Sequence, residues 1–402
     1  MNHRERVLTA LEHKEPDRVP IDFGGTVDST INVVPYKGLR ERLGLGVSTI
    51  RVADVCQQAV IVDDDVAKAI GSDTRGIQYE PREWRTDTLT YGFPVEFPAK
   101  FRPQIHTDGA QVILDLSGNV LLKMPKDGYY FDPVYSPLAE ATSTADIERH
   151  IESLRSYDRA SYLDKSHAEL AQKAKELRGS TDCLIVGFFG AHVFQAAQAL
   201  RGWETFLIDL LTNPKFAEAL LDRLAEANME RFEDYANTVG RYVDVVHVED
   251  DLGMQDRPLL SPELYRQRVK PYHKKLYGFM KSKCGAYLLL HTDGAVSSFI
   301  PDFIEMGVDA LHPVQVSAQG MDTGRLKREF GREITFWGGG CDTQRVLPFG
   351  TPEEVRAEVK RRIDDLAPGG GFVFATVHNI QRYVPPENIV TMYETVREYG
   401  VY

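Results

Sequence analysis

Three short apolar runs in the C-terminal half of the chain end in side chains that could carry chemistry. His291 and Asp293 follow the run AYLLL, Gln315 follows ALHPV, and Cys341 and Asp342 follow ITFWGGG. Buried strands that end in reactive side chains at their C-terminal ends are typical of the active site of a parallel α/β fold. An imidazole, a carboxylate and a thiol that meet at one point would suit zinc.

Polar residues follow four other apolar runs in the same way. They are Asp22 after RVPI, Asp54 with Gln57 after TIRVA, the acidic run Glu249, Asp250 and Asp251 after VDVVHV, and His378 with Asn379 after FVFATV. In a parallel barrel, residues just beyond the C-terminal ends of the strands face one mouth. We therefore expect these side chains to surround a single acidic cavity.

Each candidate also has an interpretation without chemistry. His291 could be a core histidine bonded to a backbone carbonyl, and Cys341 could be a small buried hydrophobe. The acidic run 249–251 could be a solvated loop, or it could cap the next helix. His247 lies in the middle of its apolar run, which favours a place in the core. The sequence contains no HExxH, CxxC or Walker motif, so spacing alone does not identify a metal site.

The order of apolar runs predicts about eight strands that alternate with helices. This pattern indicates an α/β fold of the (β/α)8 TIM-barrel type, and residues 1–402 show no linker that would divide them into domains. Residues 74–133 interrupt the alternation with scattered aromatic residues, and 110–124 is typical of a β-hairpin. We interpret 74–133 as an antiparallel β insertion after the second strand, predicted at 49–54, that forms a lid or one wall of a pocket.

The composition argues against several classes of partner. The net charge is −12, which disfavours nucleic acid and anionic membranes. No run of about 18 apolar residues indicates a membrane span, and the charged N-terminus MNHRERVLTALEHKEPDRVP is unlike a secretory signal. The four cysteines are widely spaced, which is typical of a reducing cytoplasm and predicts a cytoplasmic protein.

Several segments together resemble one enzyme superfamily. RVPIDFGGT, HTDG, IPDFIEMGVDALHPVQ, FWGGGCDTQRVLPFGTPEEV and APGGGFVFATVHNIQRYVPPENI are similar to the uroporphyrinogen decarboxylase superfamily, and most similar to its corrinoid-methyltransferase branch. That branch includes methylcobamide:thiol methyltransferases and enzymes that demethylate methoxylated or methylated substrates. The resemblance is strongest from Val243 to Tyr399. It implies a (β/α)8 barrel, a homodimer, and a corrinoid (cobalamin) carried by a partner protein, since no DxHxxG motif is present here.

The resemblance also suggests a metal site with altered ligands. In the thiol methyltransferases, zinc is held by a His-x-Cys pair and a later cysteine. His291 matches the histidine here, but Asp293 and Gly370 stand where the two cysteines belong. From this resemblance we expect Cys341, on a neighbouring strand end, to substitute as a ligand, and an acid from the run 249–251 to complete the set. The expected zinc ligands are therefore Glu249, His291 and Cys341, with Asp251 and Asp293 in reserve.

The remaining candidates receive roles from the same resemblance. Asp22 and His378, like Glu249 and His291, are expected to be catalytic, orienting the substrate or supplying a proton. The expected substrate-binding residues are Asp54, Gln57, Asp250, Gln315 and Asn379. The decarboxylases carry an arginine-rich motif after the first strand, whereas this chain reads IDFGGT there. A porphyrinogen with many carboxylates would fit poorly against so many acidic residues.

The hypothesis that follows is a metal-assisted methyltransferase. It would move a methyl group from a small donor, such as a methoxylated aromatic compound, to the cobalt of a corrinoid protein. Transfer from the corrinoid to a thiol or folate is an alternative. A second alternative is a metal-free decarboxylase of a small carboxylic acid, in which Asp22 stabilises a developing cation and His378 donates a proton. A third is a binding or assembly protein that has lost catalysis.

Overall fold

A computed structural model describes residues 1–46, 49–88, 91–114, 118–128, 130–149, 163 and 166–402. The described helices are α1 (His3–Leu11), α2 (Val33–Arg42), α3 (Asp64–Ile70), α4 (Thr144–Arg149), α5 (His167–Ser180), α6 (Phe194–Arg201), α7 (Trp203–Thr212), α8 (Pro214–Thr238), α9 (Pro262–Arg268), α10 (Lys270–Lys283), α11 (Ile300–Glu305), α12 (Thr323–Phe330), α13 (Val346–Phe349), α14 (Pro352–Leu366) and α15 (Pro386–Tyr399). None of them is both long and apolar enough to cross a membrane.

The described residues also contain fifteen strands. They are β1 (Ile50–Asp54), β2 (Ala59–Val60), β3 (Thr74–Ile77), β4 (Trp84–Asp87), β5 (Val95–Pro98), β6 (Gln104–Ile105), β7 (Gln111–Leu114), β8 (Val120–Met124), β9 (Asp132–Pro133), β10 (Leu184–Gly190), β11 (Val245–Glu249), β12 (Tyr287–His291), β13 (Ala310–His312), β14 (Thr335–Trp337) and β15 (Phe372–Val373). Helices are predicted from sequence at 145–154 and 161–178. They overlap α4 and α5, but 150–154 and most of 161–165 lie outside the described residues.

A curled parallel sheet of seven strands forms the centre of the protein, in the order β15-β14-β13-β12-β11-β10-β3. Its strands are short and almost continuously apolar because helices cover their outer side. A segment near the N-terminus lies between the two edge strands. The Phe374 amide donates to the Pro20 carbonyl (2.8 Å), and the Asp73 amide donates to the Ile21 carbonyl (2.7 Å). The predicted α/β, barrel-like fold is therefore confirmed.

Two strand predictions need correction. The predicted second strand forms as β1, but it pairs with β2 and β5 in a separate four-stranded sheet, outside the parallel sheet. The parallel sheet instead contains β3, which lies at the start of the predicted insertion 74–133. The sequence of β3, TRGI, gives a weak apolar signal. Its Gly76 is needed because a Cβ there would lie 2.8 Å from the Gly25 carbonyl oxygen.

Most of the segment between β3 and α4 forms antiparallel strands. Strands β6, β7, β8 and β9 make one antiparallel sheet, and β4 pairs antiparallel with β5. The pairing of β7 with β8 lies where a hairpin was predicted at 110–124, while residues 115–117 lie outside the described part of the chain. Phe131, just before β9, is buried in the core of the molecule.

The inward side chains of the barrel change from apolar to ionisable along each strand. At the N-terminal end, Val7 and Leu11 of α1 close the barrel and pack with residues that the strands point inward: Leu184, Val186, Val245, Leu289, Ala310, Trp337, Val373 and Ala375. Alternation along a strand places every second residue on the same face. The inward residue after Leu289 is therefore His291, and the inward residues after Val245 are His247 and Glu249. Strands β11 and β12 therefore place His247 and His291 near the C-terminal mouth of the barrel.

Candidate active site

A cavity of about 540 Å³ opens at the C-terminal ends of the barrel strands. This volume suits a small organic molecule. Its described charged lining consists of Asp28, Asp54, Asp132, His192, Arg231, Glu249, Asp251, His291, Asp293 and His378. The described lining thus contains six carboxyl groups and one arginine. The aromatic residues Tyr79, Tyr130 and Phe131 line the same cavity.

An outer group of metal-binding side chains lies at the ends of β11 and β12. We call Asp251, His291 and Asp293 the outer trio. His291 Nε2 is 3.9 Å from Asp251 Oδ1 and 3.9 Å from Asp293 Oδ2, and the three residues can offer atoms within 4.8 Å of one another. The Asp293 amide donates to Asp251 Oδ1 (2.8 Å), which holds the two loops together.

An inner group lies deeper in the barrel. We call Asp28, His247 and Glu249 the inner trio. His247 Nε2 is 3.6 Å from Asp28 Oδ2 and 3.9 Å from Glu249 Oε1. His247 and Glu249 share a face of β11 because they are two residues apart. Asp28 lies in the loop that follows the N-terminal segment around Ile21, and it is almost fully buried.

Asp28 also contacts the histidines on the other walls of the barrel. Its Oδ2 is 3.5 Å from His291 Nδ1, and its Oδ1 is 3.5 Å from His378 Nε2. Burial alone would raise the pKa of the Asp28 carboxyl, but the neighbouring imidazoles, His291 foremost, hold that pKa below its ordinary value. Burial and the nearby Asp28 carboxylate raise the pKa of Glu249 well above its usual range. The pair is therefore most stable with one negative charge.

Two histidines of the cluster are kept neutral. Burial lowers the pKa of His247 to about 3 and lowers that of His312 well below its usual value. His312 Nδ1 lies 2.8 Å from His291 Nδ1, so one of these two atoms carries the shared proton. If His291 carries it, the lone pair of its Nε2 faces the carboxylates of the outer trio. A neutral imidazole with a free lone pair is the form that binds metals.

Many polar atoms of the site have no hydrogen-bond partner. The buried atoms without one include Asp28 Oδ2, both ring nitrogens of His247, Glu249 Oε1, Asp293 Oδ1 and His312 Nε2. Buried polar atoms in native proteins are nearly always paired. A cluster of unpaired nitrogen and oxygen atoms therefore indicates a site for a ligand or a metal ion.

Comparison with known proteins identifies the family. Residues 136–399 match uroporphyrinogen decarboxylase (URO-D). The chain belongs to the URO-D family. The URO-D of Geobacter metallireducens is 26% identical over 232 residues, which are 55% of this chain and 62% of that protein. The URO-D of Neisseria meningitidis serogroup C is 22% identical over 223 residues, 53% of this chain and 58% of that protein. The chain thus spans about three fifths of these relatives.

A solved structure extends the fold comparison over the whole chain. It is described as a methyltransferase from Methanosarcina mazei, and it aligns with a TM-score of 0.60 and 17% identity over 99% of both chains. This similarity shows that the chain shares the fold of that protein. The resemblance to the URO-D superfamily that was drawn from the sequence is confirmed.

In this URO-D family member, most of the predicted site residues lie together. Those that line the cavity are Asp54, Gln57, Glu249, Asp251, His291, Asp293, Gln315, His378 and Asn379. Some of them also have structural partners. Asp54 accepts hydrogen bonds from the amides of the turn after β1. Gln315 Oε1 accepts from the Gly294 amide (2.8 Å), so Gln315 holds the loop that carries Asp293.

Three predicted site residues lie away from the cavity lining. Cys341 is fully buried in the hydrophobic core, and it belongs to none of the groups of potential metal ligands found among the described residues. Asp22 accepts hydrogen bonds from Trp337 Nε1 (2.7 Å) and Thr74 Oγ1 (2.6 Å) below the site. Asp250 accepts from the first amides of α6 and contacts His273 Nε2 at 2.9 Å. These two aspartates therefore position neighbouring elements.

The sequence analysis missed three residues of the cluster. Asp28 lies six residues beyond Asp22, in a loop without an apolar pattern. The position of His247 in the middle of an apolar run predicts a core residue, and His312 is not among the predicted site residues. A useful signal was present: His247 and Glu249 are two residues apart on one strand, so both must face the same side of the sheet.

Proposed function

We propose that this protein is a methyltransferase that transfers a methyl group from a small donor to the cobalt of a separate corrinoid protein. The observation that supports this most is the outer trio, which offers two carboxylates and an imidazole at the end of a cavity of about 540 Å³. A methoxylated aromatic compound suits the cavity because its wall includes Tyr79, Tyr130 and Phe131. The fold similarity to a methyltransferase over the whole chain agrees with this proposal.

The outer trio fits a zinc ion. Zinc binds nitrogen and oxygen ligands at about 2.0–2.2 Å, so two ligands of a tetrahedral site lie about 3.4 Å apart. The 3.9 Å separations of His291 Nε2 from its two carboxylates are close to this spacing. Asp251 and Asp293 side chains are 29% and 33% exposed, which leaves the trio open to the cavity. When bound, the ion would supply Lewis-acid activation of the donor oxygen.

The ligand set differs from the one expected from the sequence. Asp293 takes the place of the first cysteine of the related thiol methyltransferases, and Asp251 joins it from the end of β11. Cys341 has no part in the proposal because it lies in the apolar core. Glu249 belongs to the inner trio, where its Oε1 lies 3.9 Å from His247 Nε2.

His378 is the proposed proton donor for the reaction. Its Nε2 lies 3.7 Å from Asp293 Oδ2, at the cavity wall. In the transfer, the carbon–oxygen bond of the donor would break and leave its electron pair on oxygen, and the cobalt(I) corrinoid of the partner would supply the electron pair for the new bond to the methyl carbon. The oxygen then takes a proton, which His378 would deliver and later regain from water.

The antiparallel segment is proposed to form one wall of the cavity. Tyr79 and Tyr130 from the segment 74–133 line the same cavity as His291 and His378. Aromatic rings at these places would stack on the ring of a methoxylated aromatic donor and keep water from the methyl group. Gln57 and Asn379 would contact its polar substituents. The corrinoid partner would approach through the open mouth.

Metal analysis and a methyl-transfer assay test this proposal. Metal content is measured by mass spectrometry for wild type, Asp293→Asn, His291→Ala and two controls, Cys341→Ser and Asp132→Asn. We expect the two site variants to lose a zinc ion that both controls retain. Methyl transfer from 2-methoxyphenol to a corrinoid protein in the cob(I)alamin state is followed by the visible spectrum. Its rate should be at least about 100-fold lower in the variants that lose the ion. A zinc content equal to that of wild type in both site variants would refute the assignment.

Decarboxylation of a small carboxylic acid is the second candidate. The family description favours it, and Arg231 with the histidines could bind a carboxylate at the cavity. This reaction would proceed in protein freed of metal by a chelator. Release of carbon dioxide by metal-free protein, together with no methyl transfer from methoxylated donors, would move this candidate to first place. Methyl transfer from a methylated corrinoid to a thiol or folate is assayed with the same proteins.

A further inference from the structure

The inner trio carries chemistry that the proposed methyl transfer does not use. We propose that Asp28, His247 and Glu249 form a second site for a divalent transition-metal ion, deeper in the barrel than the outer trio. Each of the three residues offers a ligand atom, and these atoms lie within 4.8 Å of one another. The inference concerns a separate site, so it does not depend on the identity of the methyl donor.

The separations inside the inner trio suit shared coordination better than hydrogen bonding. His247 Nε2 lies 3.6 Å from Asp28 Oδ2 and 3.9 Å from Glu249 Oε1. These distances exceed the 2.7–3.2 Å of a typical N–H···O hydrogen bond. They are close to the spacing of about 3.4 Å between two ligands of one tetrahedral metal ion. The His247 ring therefore lies beside both carboxylates without a hydrogen bond to either.

Several polar atoms of the inner trio lack a hydrogen-bond partner. Asp28 Oδ2, Glu249 Oε1 and both nitrogens of His247 are buried and have no hydrogen-bond partner. Asp28 is 2% exposed and His247 is fully buried. Leaving several such atoms unpaired in one place costs free energy, because each lost its hydrogen bonds to water on folding. A cation bound among them would satisfy all three residues at once.

Two other buried carboxylates of this protein are paired with arginine or lysine. Asp73 pairs with Arg6 and Arg18, and Asp302 pairs with Arg266 and Lys270. In the described part of the chain, the ion pairs of Asp28 and Glu249 are made with histidines alone. Buried charges are usually paired with opposite charges or bound to metals. The missing positive charge in the inner trio is what a divalent ion would provide.

The backbone holds the inner trio in a fixed arrangement. His247 and Glu249 lie on β11, whose register places Glu249 opposite His291 of β12. Asp28 lies in a loop that Thr26 and Ser29 close by hydrogen bonds from each amide to the other's hydroxyl, both 2.9 Å. Ligands on strands and tightly bonded loops are preorganised for a metal ion.

The ligand types define the class of ion. One imidazole and two carboxylates suit zinc, manganese, cobalt and iron in the divalent state. Asp28 lies between the two trios, since its Oδ2 is also 3.5 Å from His291 Nδ1. An ion in the inner trio would therefore also stabilise the position of the His291 ring.

Metal stoichiometry tests the inference without an activity assay. Protein stripped with a chelator is titrated with Zn²⁺ and with Co²⁺, and binding is followed by equilibrium dialysis and by the visible d–d bands of Co²⁺. Wild type is expected to bind two ions. His247→Gln and Glu249→Gln should each bind one ion, in the outer trio. Asp293→Asn should also bind one ion, in the inner trio. Asp132→Asn, a cavity carboxylate outside both trios, should still bind two ions.

The outcomes separate this inference from the proposed function. One ion in wild type that is lost in Asp293→Asn and kept in His247→Gln would overturn the inner site and leave the methyltransferase proposal intact. One ion lost in His247→Gln and kept in Asp293→Asn would support the inner site and refute the outer one. No bound ion would overturn both sites. If His247→Gln fails to fold by circular dichroism, two distinct Co²⁺ binding phases in wild type support the inference, and one phase overturns it.

Discussion

At the residue scale, His312 is the clearest example of a side chain that acts through another. It does not line the cavity, but its Nδ1 lies 2.8 Å from His291 Nδ1. A hydrogen bond at the second nitrogen of a metal-binding histidine fixes its orientation and tautomer. We predict that His312→Leu lowers zinc affinity of the outer trio about 10- to 100-fold. Competition with a chromophoric chelator measures this affinity.

A variant that keeps a polar group tests whether the effect is due to the hydrogen bond. His312→Asn retains both a donor and an acceptor near His291, so it should recover part of the affinity that His312→Leu loses. An equal loss in both variants would mean that His312 only fills space. Full affinity in His312→Leu would contradict the positioning role.

The residues of the site were predictable to different degrees. His291, Asp293 and Glu249 were found because each directly follows an apolar run, and parallel strands bring such residues to one mouth. The same rule misplaced Cys341. Gly338 and Gly339 have positive φ, and a Cβ on Gly340 would overlap the Phe374 ring. The chain therefore turns tightly past the barrel at this point, and the thiol enters the apolar core.

At the element scale, Asp73 joins α1 to the edge of the parallel sheet. It is fully buried, and it accepts hydrogen bonds from Arg6 (2.7 Å), from both terminal nitrogens of Arg18, and from the Ile21 amide (2.8 Å). Removing one partner of a buried ion pair leaves the others uncompensated. We predict that Asp73→Asn lowers the free energy of unfolding by about 3–5 kcal/mol, measured by urea denaturation.

Asp17 provides the matched control for Asp73. It also pairs with Arg6, but its side chain is 43% exposed. Asp17→Asn should cost less than about 1 kcal/mol, as is usual for exposed pairs. Burial would raise the pKa of Asp73, but its hydrogen bonds and the arginines lower it below the usual value. Its stabilisation is therefore complete above about pH 4 and is lost as the pH falls further. Equal stability losses in the two variants would contradict this account.

The elements themselves were predictable where they are long and apolar. Strands β10, β11 and β12 lie where apolar runs were found, because strands covered on both sides need apolar side chains throughout. The place where the sheet closes was not predictable in the same way. Strand β3 has only four residues, including an arginine and a glycine. The partner of a strand depends on contacts distant in sequence, so β1 could not be excluded from the barrel by its own pattern.

At the scale of the whole molecule, the sign of the cavity charge decides which donors can bind. Six carboxylates and one arginine line the described cavity, and the whole chain carries a net charge of −12. A carboxylate on the ligand would be repelled, with an energy of about 1 kcal/mol or more at contact distances. We predict that protein freed of metal ions binds 2-methoxyphenol at least about tenfold more tightly than its analogue with a ring carboxylate, as measured by calorimetry at low salt.

The salt dependence of this preference separates the two candidate functions. Screening by about 1 M salt shortens the range of the repulsion to about 3 Å, so the difference between the two ligands should shrink. Asp132→Asn should reduce the difference as well, since it removes one cavity carboxylate away from both trios. Decarboxylation requires the opposite preference, because its substrate must present a carboxylate to the site. Tighter binding of the carboxylated ligand would therefore contradict the methyltransferase proposal and favour a role for Arg231 in holding an acid.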